Sequence, residues 1–337
     1  MKSQSFNINN VYLDSIGVIV SKKEKDGPLG RYFPSYIDDY YIKCDSFEKA
    51  QVKLSKMAIK KAIDKSIYDI KDIKLCIAGD LSNQIFSSTS SIIEYEFPYI
   101  GIYAACASGI LAMIIASIYM NQLNLENSLI YTSAHLCVSQ RQFRYPIEYG
   151  SINKDTTTIT MTGACALILT NNKKMIKVSK ATIGKIVDVN SKNINDMGSC
   201  MAFAAIDTFL THLINNQENT DDYDLIVTGD LGKYGKDVFI SQLKEKGYDI
   251  KDKYMDCGES VYTHDGFAGA SGPACVMCVS FSYVINKMIK GIYKKVLILA
   301  TGALHSQISY QQKESIPSIT HGIVLEVSEW IYFYLFY

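Results

Sequence analysis

The sequence predicts an α/β protein built from two similar βαβαβ halves. Three observations support this prediction. Short β-branched strands alternate with apolar helices along the 337 residues, the same five elements follow one another twice, and each half places Ala-Ser-Gly at the start of an apolar helix. Strands that alternate with helices are expected to be largely parallel, because each crossover helix returns the chain to the same end of the sheet.

The first two matched elements are a strand and a helix. IGVIV (residues 16–20) and IGKIV (residues 183–187) are short β-branched runs, which are typical of buried strands. Residues 47–66 and 197–216 follow them and carry apolar side chains at three- and four-residue spacing. This spacing predicts helices that pack one face against a sheet.

The third matched element is an apolar strand that ends in Gly-Asp-Leu. It reads IKLCIAGDL at residues 73–81 and DLIVTGDL at residues 224–231. Because such a turn follows the strand in both halves, we expect the two turns to occupy equivalent positions in the fold.

The last two matched elements are a helix and a strand. CASGILAMIIASI (residues 106–118) and GASGPACVMCVSF (residues 269–281) predict apolar helices. SLIYTSAHL (residues 128–136) and VLILATGAL (residues 296–304) predict strands that lead into small-residue turns. Five matches in one order indicate an internal duplication.

These matches also suggest how the chain is divided. We expect an N-terminal half over residues 1–175, a C-terminal half over residues 176–326 and an atypical aromatic tail over residues 327–337.

The uncharged stretch at residues 101–120 satisfies the length rule for a membrane span. Its counterpart at residues 264–290 contains Asp265 and Lys287 and does not satisfy that rule. The run also begins with a strand-like segment and is interrupted by Gly109. We therefore predict a helix buried between two sheets and no transmembrane helix.

Composition excludes some classes of function. The 34 basic side chains balance 34 acidic ones, which argues against bulk nucleic-acid binding.

The nine scattered cysteines and the lack of a signal-like N-terminus predict an intracellular, reducing setting. Cys275 and Cys278 form a lone CxxC without a second pair of ligands, so we expect no metal site.

Cys106 is the candidate nucleophile, since it lies where a strand turns into the central helix. The duplication and this cysteine resemble the thiolase and ketoacyl-synthase superfamily, which implies a layered α-β-α-β-α fold. In that superfamily the helix N-terminus favours a thiolate, which attacks thioesters with help from histidine or asparagine. The alternative is that Cys106 is another buried small residue.

The histidines that such chemistry requires are missing from their expected places. Gly229 and Asp230 stand where condensing enzymes carry a histidine, and Gly266 stands where thiolases carry one. His264 lies two residues before that position, and a general base must reach its proton at hydrogen-bond distance. We therefore expect a thiolase-like cavity without thiolase chemistry. The alternative is a Cys-dependent acyltransferase acting on acyl thioesters, with His264, His305 or His321 as the base.

Three further segments are not explained by core packing: residues 23–36, 133–150 and 306–326. The last two follow strand ends, where ligands gather in open α/β folds. They supply the candidate ligand-binding residues His135, Arg141, Arg144, Lys313 and His321. For the two arginines, packing at a subunit interface is an equally open interpretation.

Six segments together form a distinctive combination: KEKDGPLG, AGDL with Asn83-Gln84, RQFRYPIEYG, DMGSCMA, FAGASG and QQKESIPSITHG. This combination resembles the stage V sporulation protein AD (SpoVAD) family of endospore-forming bacteria. The resemblance covers about residues 15 to 326. It implies a thiolase-like fold and a role in moving dipicolinic acid (pyridine-2,6-dicarboxylate) into the developing spore and out at germination.

The resemblance also implies partners and a location. The expected ligand is dipicolinate, alone or as its calcium chelate, with no other cofactor. The expected partners are integral membrane proteins of the same sporulation complex and a second copy of the chain. The expected location is the periphery of the spore inner membrane.

Dipicolinate is a flat aromatic dianion, so its site should offer planar bidentate donors and an apolar face. Arg141, Arg144 and Lys313 supply cationic groups, and Cys106 and His135 are expected on the cavity floor. The tail VSEWIYFYLFY is too short to span a bilayer. It is interpreted as a segment that docks in a groove, a contact with the membrane interface or the product of an altered reading frame.

Overall fold

The computed structural model describes residues 4–143, 154–263 and 267–328. Its strands are β1 (Gln4–Asn7), β2 (Tyr12–Ser21), β3 (Tyr36–Ile37), β4 (Cys76–Ala78), β5 (Tyr99–Gly101), β6 (Asn127–Ala134), β7 (Thr158–Thr160), β8 (Gly163–Thr170), β9 (Ile176–Ile183), β10 (Leu225–Thr228), β11 (Tyr254–Asp256), β12 (Gly269–Ser271), β13 (Lys295–Ala303) and β14 (Ser318–Val327).

The helices connect these strands and cover their faces. They are α1 (Lys22–Lys25), α2 (Phe47–Ile63), α3 (Phe86–Ser91), α4 (Ser108–Leu123), α5 (Leu136–Phe143), α6 (Met197–Asn216), α7 (Gly232–Glu245), α8 (Cys257–Val261), α9 (Pro273–Val279), α10 (Ile285–Ile289) and α11 (Gln307–Gln311). A π-helical turn, Ser280–Val284, joins α9 to α10.

The main strands follow the order β11-β10-β13-β14-β9-β2-β8-β6-β4-β5. Each half contributes five of these strands, which can be numbered 1 to 5 along the chain: β2, β4, β5, β6 and β8 in the first half, and β9, β10, β11, β13 and β14 in the second. With this numbering both halves have the strand order 3-2-4-5-1. Pairing directions also agree: strands 2, 3 and 4 are parallel, and strand 5 is antiparallel to both neighbours. Along this strand order the halves adjoin at β2 and β9, which share one bridge, Tyr12 with Lys177, and β1 also pairs with β9. The predicted duplication is confirmed.

Two details of the sequence prediction were wrong. Each half has a mixed sheet, since the fifth strands β8 and β14 run against their neighbours. The first strand of the second half is β9, which ends at Ile183, so most of IGKIV follows it. Beyond that point the Gly184 N–H donates to a side chain, His321 Nδ1, and Val187 forms only an isolated bridge to Ser318.

Alternating residues of the strands build three separate cores, which demonstrates the layering. In β13, Val296 and Ile298 point into a central core shared by α4 and α9. Their neighbour Leu297 points into an outer core under α6 and α7. In the first half, Leu129 of β6 points into the other outer core, under α2. The result is the α-β-α-β-α arrangement that the superfamily resemblance implied.

Close packing of α2 on β2 depends on Gly17. A Cβ placed on Gly17 would lie 2.0 Å from the Ala58 carbonyl oxygen of α2, so no larger residue fits. The helix begins at Ser46, whose hydroxyl accepts from the Lys49 N–H at 3.2 Å, a typical N-cap. This cap and this contact fix α2 against the sheet.

Two helical segments are long and apolar enough to cross a membrane by length and composition, residues 105–123 and Met197–Asn216. Within the described residues, 56% of the first apolar window and 61% of the second are buried inside the protein. The first segment contains α4, which lies in the central layer between the two sheets, as predicted for the uncharged stretch.

Candidate functional site

Cys106 lies at the entrance to α4, on a sharply turned segment of backbone. The preceding residue, Ala105, has a φ of 48°, in the left-handed region that costs an alanine roughly 1–2 kcal/mol. The Ser108 hydroxyl holds the turn by accepting from the Ala104 N–H at 3.0 Å and donating to the Ala105 carbonyl at 2.7 Å. The turn leaves Cys106 half-buried at the helix N-terminus, with its thiol enclosed by the protein.

The end of β13 supports this turn from behind. A Cβ on Gly302 would lie 2.5 Å from the Ala104 carbonyl oxygen. Only glycine therefore permits the strand of the second half to approach the cysteine turn of the first half this closely.

Asp230 is the polar neighbour of the Cys106 thiol. It lies directly after β10 and is 1% exposed. Its carboxylate accepts from the Thr301 hydroxyl at 2.6 Å and from the Gly272 N–H at 3.1 Å, and it is a hydrogen-bond partner of Cys106. The residue that replaces the expected histidine thus touches the candidate nucleophile.

The electrostatics of this pair oppose a reactive cysteine. Burial raises the pKa of Asp230 to about 6, so the group is ionised at neutral pH. Burial, followed by the charge of Asp230, raises the pKa of Cys106 well above its usual value. The Gly272 N–H acts in the opposite direction but does not outweigh these effects. The thiol is therefore protonated at neutral pH, and the thiolate nucleophile is disfavoured.

Sequence reasoning noted Asp230 only as a missing histidine and did not predict its contact with Cys106. The available signal was the repeated Gly-Asp-Leu turn. A carboxylate after a buried strand in both halves indicates that the aspartate has a structural or site role, although the repeat alone does not show which helix it meets.

The His135 side chain is fully buried, and both its ring nitrogens are used within the first half. Nε2 lies 2.9 Å from the Tyr40 carbonyl oxygen, and Nδ1 accepts from the Cys137 N–H at 3.2 Å. The ring also contacts Phe47 with a centroid distance of 5.3 Å. Burial lowers the pKa of His135, which is therefore neutral. These contacts tie His135 to the loop before α2, and its placement on the cavity floor beside Cys106 stays a prediction.

The other histidines proposed as bases lie in different surroundings. His305 packs between Phe143 and Tyr310, at centroid distances of 6.4 and 6.2 Å. His321 is buried in β14, where Nδ1 faces the Gly184 N–H at 3.4 Å and Nε2 has no hydrogen-bond partner among the described residues. Burial lowers the pKa of His321 to about 4. His264 lies outside the described residues.

Arg141 lines an open groove of about 290 Å³ beyond the ends of β4 and β6. Its Nη1 lies 2.8 Å from Glu48 Oε1, and its guanidinium lies 5.9 Å from the centre of the Phe47 ring. The groove is lined by Glu48, Ser82, Asn83, Phe86, Val138, Arg141 and Gln142. Both β4 and β6 are parallel strands of one sheet, so this is the ligand position predicted for open α/β folds.

One wall of this groove has an unusual backbone. Gln84 and Ile85 have φ values of 54° and 51°, so two successive residues lie in the left-handed region. Such strain persists only where the surroundings impose it, and it is concentrated at functional sites. The adjacent Phe86 is 47% exposed and presents an aromatic surface at the groove.

The remaining predicted ligand residues are not joined to the groove by described contacts. Lys313 is exposed after α11, with a φ of 58°. Arg144 lies outside the described residues. Among the described residues, no group of three or more His, Cys, Asp and Glu side chains is placed to hold a metal ion. Cys275 and Cys278 are fully buried, and burial raises the pKa of both thiols.

Comparison with known proteins supports both the fold and a family. The family model for stage V sporulation protein AD (SpoVAD) matches residues 2–326. Stage V sporulation protein AD from Bacillus subtilis (strain 168) is 38% identical over 318 residues, which cover 94% of each chain.

Solved structures of Xanthomonas campestris OleA share the architecture. The crystal structure of one OleA variant gives a TM-score of 0.60 at 14% identity, over 95% of this chain and 99% of that chain. An OleA structure with bound lauric acid and lauroyl-CoA gives a TM-score of 0.60 at 15% identity, over 94% of this chain and 99% of that chain. At this identity the similarity demonstrates the fold alone.

Proposed function

The chain belongs to the stage V sporulation protein AD family, and from this premise we propose that it is a non-catalytic receptor for dipicolinate. In this proposal it takes part in the uptake of dipicolinate into the developing spore and in its release at germination. The ligand is dipicolinate alone or its calcium chelate.

The observation that carries the non-catalytic part is the contact between Cys106 and Asp230. Acyl transfer requires a thiolate, and a carboxylate beside the sulfur opposes its formation. A neutral histidine at this place would accept the thiol proton. Asp230 instead adds a negative charge to a buried site, so the ancestral chemistry is suppressed.

The Arg141 groove supports the ligand class. Dipicolinate carries two carboxylates on one aromatic ring, and it needs a planar cation and an apolar surface. Arg141 supplies the cation, Phe86 the aromatic surface, and Ser82, Asn83 and Gln142 additional hydrogen-bonding groups. A guanidinium has five N–H donors, so Arg141 can hold Glu48 and a ligand carboxylate together.

The family membership also motivates the proposed assembly. We propose a homodimer that acts at the periphery of the spore inner membrane with integral membrane proteins of the same sporulation complex. These partners follow from the resemblance and not from a described surface.

Isothermal titration calorimetry with dipicolinate, with and without calcium, tests the ligand proposal. Arg141→Ala should weaken binding at least about tenfold, because a hydrogen bond between charged groups contributes roughly 1.5–3 kcal/mol. Arg31→Ala is the matched control, since Arg31 pairs locally with Tyr32. Absence of heat at millimolar dipicolinate in both buffers would overturn the proposal. If both substitutions weakened dipicolinate binding equally, the ligand would not bind in this groove.

A Cys106-dependent acyltransferase is the second candidate, favoured by the strained turn at the N-terminus of α4. It predicts rapid, selective alkylation of Cys106 by iodoacetamide near neutral pH and an acyl-enzyme after incubation with an acyl thioester. The receptor proposal predicts slow alkylation and no acyl-enzyme, measured by mass spectrometry of the Cys106 peptide.

A further inference from the structure

A second groove, of about 200 Å³, lies between the two halves of the molecule. Ile16 and Tyr32 form one wall, and Phe281, Ile285 and Ile289 form the other. Ile289 is 54% exposed although it is a large apolar residue. An apolar groove with such a residue at its edge is suited to a hydrophobic segment.

The same groove contains a hydrogen-bond acceptor without a donor. Asn286 lines it, and its Oδ1 is buried with no partner among the described residues. A buried polar atom without a partner is unfavourable, because it has lost the hydrogen bonds that water would supply. Once the Asn286 amide turns toward the groove, an occupant with an N–H or O–H donor as well as apolar side chains satisfies this oxygen.

The described chain ends beside two segments that lead into the walls of this groove. The Val327 N–H donates to the Lys294 carbonyl at 2.8 Å, in the loop that follows α10 and its Ile289. The Ser328 hydroxyl donates to the Lys174 carbonyl at 2.8 Å, and Lys174 Nζ lies 2.7 Å from Asp14, near Ile16. The last described residues, Val327 and Ser328, therefore contact segments that continue into both walls of the groove.

We propose that residues 329–337, EWIYFYLFY, dock in this groove of their own chain. Eight of these nine residues are aromatic or branched aliphatic. Nine extended residues span up to about 30 Å, which is sufficient to run along the groove. Burial of these large apolar side chains removes them from water, which favours docking.

The buried acceptor distinguishes this occupant from a membrane. The Trp330 indole N–H is a donor only, and the tail's amide and hydroxyl groups are further donors. Docking on the protein provides a partner for Asn286 Oδ1 when the amide turns toward the groove. Insertion of the tail into a lipid interface leaves that atom buried and without a donor.

Tryptophan fluorescence tests the proposal directly, because Trp330 is the only tryptophan in the chain. In the full-length protein without lipid we expect blue-shifted emission and weak quenching by iodide, independent of protein concentration. Ile289→Glu should shift the emission to the red and increase quenching. Ile93→Glu is the matched control and should change neither, since Ile93 is 82% exposed in the first half.

Hydrogen exchange keeps the test decisive if Ile289→Glu folds poorly. A chain that stops after Ser328 should exchange faster than the full chain at Ile285–Ile289, and equally at α2. Solvent-exposed emission in the full-length protein would overturn the proposal. A blue shift that requires anionic lipid vesicles would also overturn it, because the tail would then bind a membrane. A blue shift that rises with protein concentration would overturn it as well, because the tail would then bind a second copy of the chain.

Discussion

The two halves of the molecule carry the same Gly-Asp-Leu turn but use its aspartate for different purposes. Asp80 accepts from the Ser82 N–H at 2.6 Å, the Ser88 N–H at 2.7 Å and both serine hydroxyls, all within nine residues of sequence. Asp230 accepts from Gly272 and Thr301, which are distant in sequence, and contacts Cys106 of the other half. Duplication preserved the turn, whereas the partners of the carboxylate diverged.

A pair of tyrosines repeats this contrast at the opposite end of the sheets. Tyr68, which follows α2, bonds Thr170 at 2.7 Å and Asn172 at 2.8 Å, both neutral groups. Tyr223, after the equivalent helix, bonds His212 at 2.7 Å and Glu218.

Glu218 extends the second arrangement into a buried ionic cluster. Its carboxylate lies 2.5 Å from Lys180 Nζ and 2.6 Å from Lys295 Nζ. The second half thus gathers charged groups around its tyrosine, whereas Tyr68 of the first half bonds two neutral side chains.

The largest expected effect follows from removing the charge of Glu218. Glu218→Gln leaves Lys180 without this counterion and leaves Lys295 with Glu326 alone, at 3.6 Å. Breaking a poorly solvated ion pair typically costs about 3–5 kcal/mol, and the remaining partner of Lys295 puts the expected loss at the lower end of that range. Tyr68→Phe, in the neutral counterpart, should cost only about 1 kcal/mol. Urea unfolding of both variants measures the difference, and equal losses would contradict an ionic contribution specific to the second half.

The same cluster should make stability depend on pH. Burial favours the neutral form of Glu218, but hydrogen bonds from His212, Lys180 and Lys295 outweigh it and hold its pKa well below its usual value of 4.5. Burial also lowers the pKa of His212 below its usual 6.5. A lowered folded-state pKa gives stability that is complete above the unfolded-state pKa and lost as pH falls.

The parent protein should therefore lose stability in two stages, first below about pH 6.5 and again below about pH 4.5. The second stage should be smaller in Glu218→Gln, because glutamine does not titrate. Thermal unfolding between pH 3 and 8 follows both curves, and parallel curves would show that Glu218 has an ordinary pKa.

A smaller loss of stability is expected at Asp80. Asp80→Asn replaces one acceptor oxygen by a donor in front of two serine hydroxyls and two N–H groups. We expect a loss of about 2–3 kcal/mol in urea unfolding, because buried donors are left without acceptors. An unchanged unfolding midpoint would show that the Asp80 turn does not depend on the carboxylate.

The smallest change in free energy is expected at Asp230, although its chemical effect is the most specific. Asp230→Asn removes the negative charge beside Cys106, so the pKa of the thiol should fall. Alkylation of Cys106 at neutral pH should accelerate about tenfold for each unit of pKa. Peptide mass spectrometry must follow the modification, because the chain has nine cysteines.

The matched control for this experiment is Asp80→Asn, which should leave the alkylation rate of Cys106 unchanged. Acceleration in both variants would indicate general loosening of the fold. An unchanged rate in Asp230→Asn would show that burial alone protects the thiol.

Much of the fold was predictable because duplication repeats local patterns that are readable one element at a time. The apolar strands, the two Ala-Ser-Gly helices and the position of Cys106 follow from such patterns. The antiparallel strand β14 was less visible, because its polar Thr320 and His321 resemble a loop. Its identity depends on pairing with both β13 and β9, which is a non-local property.

The candidate site was predictable only in part for the same reason. Arg141 lies beyond a strand end, as its position after β6 indicated. The contact between Asp230 and Cys106 joins residues from opposite halves, and no local pattern encodes it. His135 shows the converse: its place after a strand suggested a role in the cavity, yet both ring nitrogens bond within the first half.

The π-helical turn at Ser280–Val284 distinguishes the central helix of the second half from α4, which is regular over its sixteen residues. A π turn holds one surplus residue without rotating the helix beyond it, whereas an insertion into a regular helix turns every later side chain by about 100°. The second copy has therefore absorbed a change of length inside its most buried segment. Removal of a single residue from this turn should give an uninterrupted helix. The π turn would then mark the insertion by which the second copy became longer than the first.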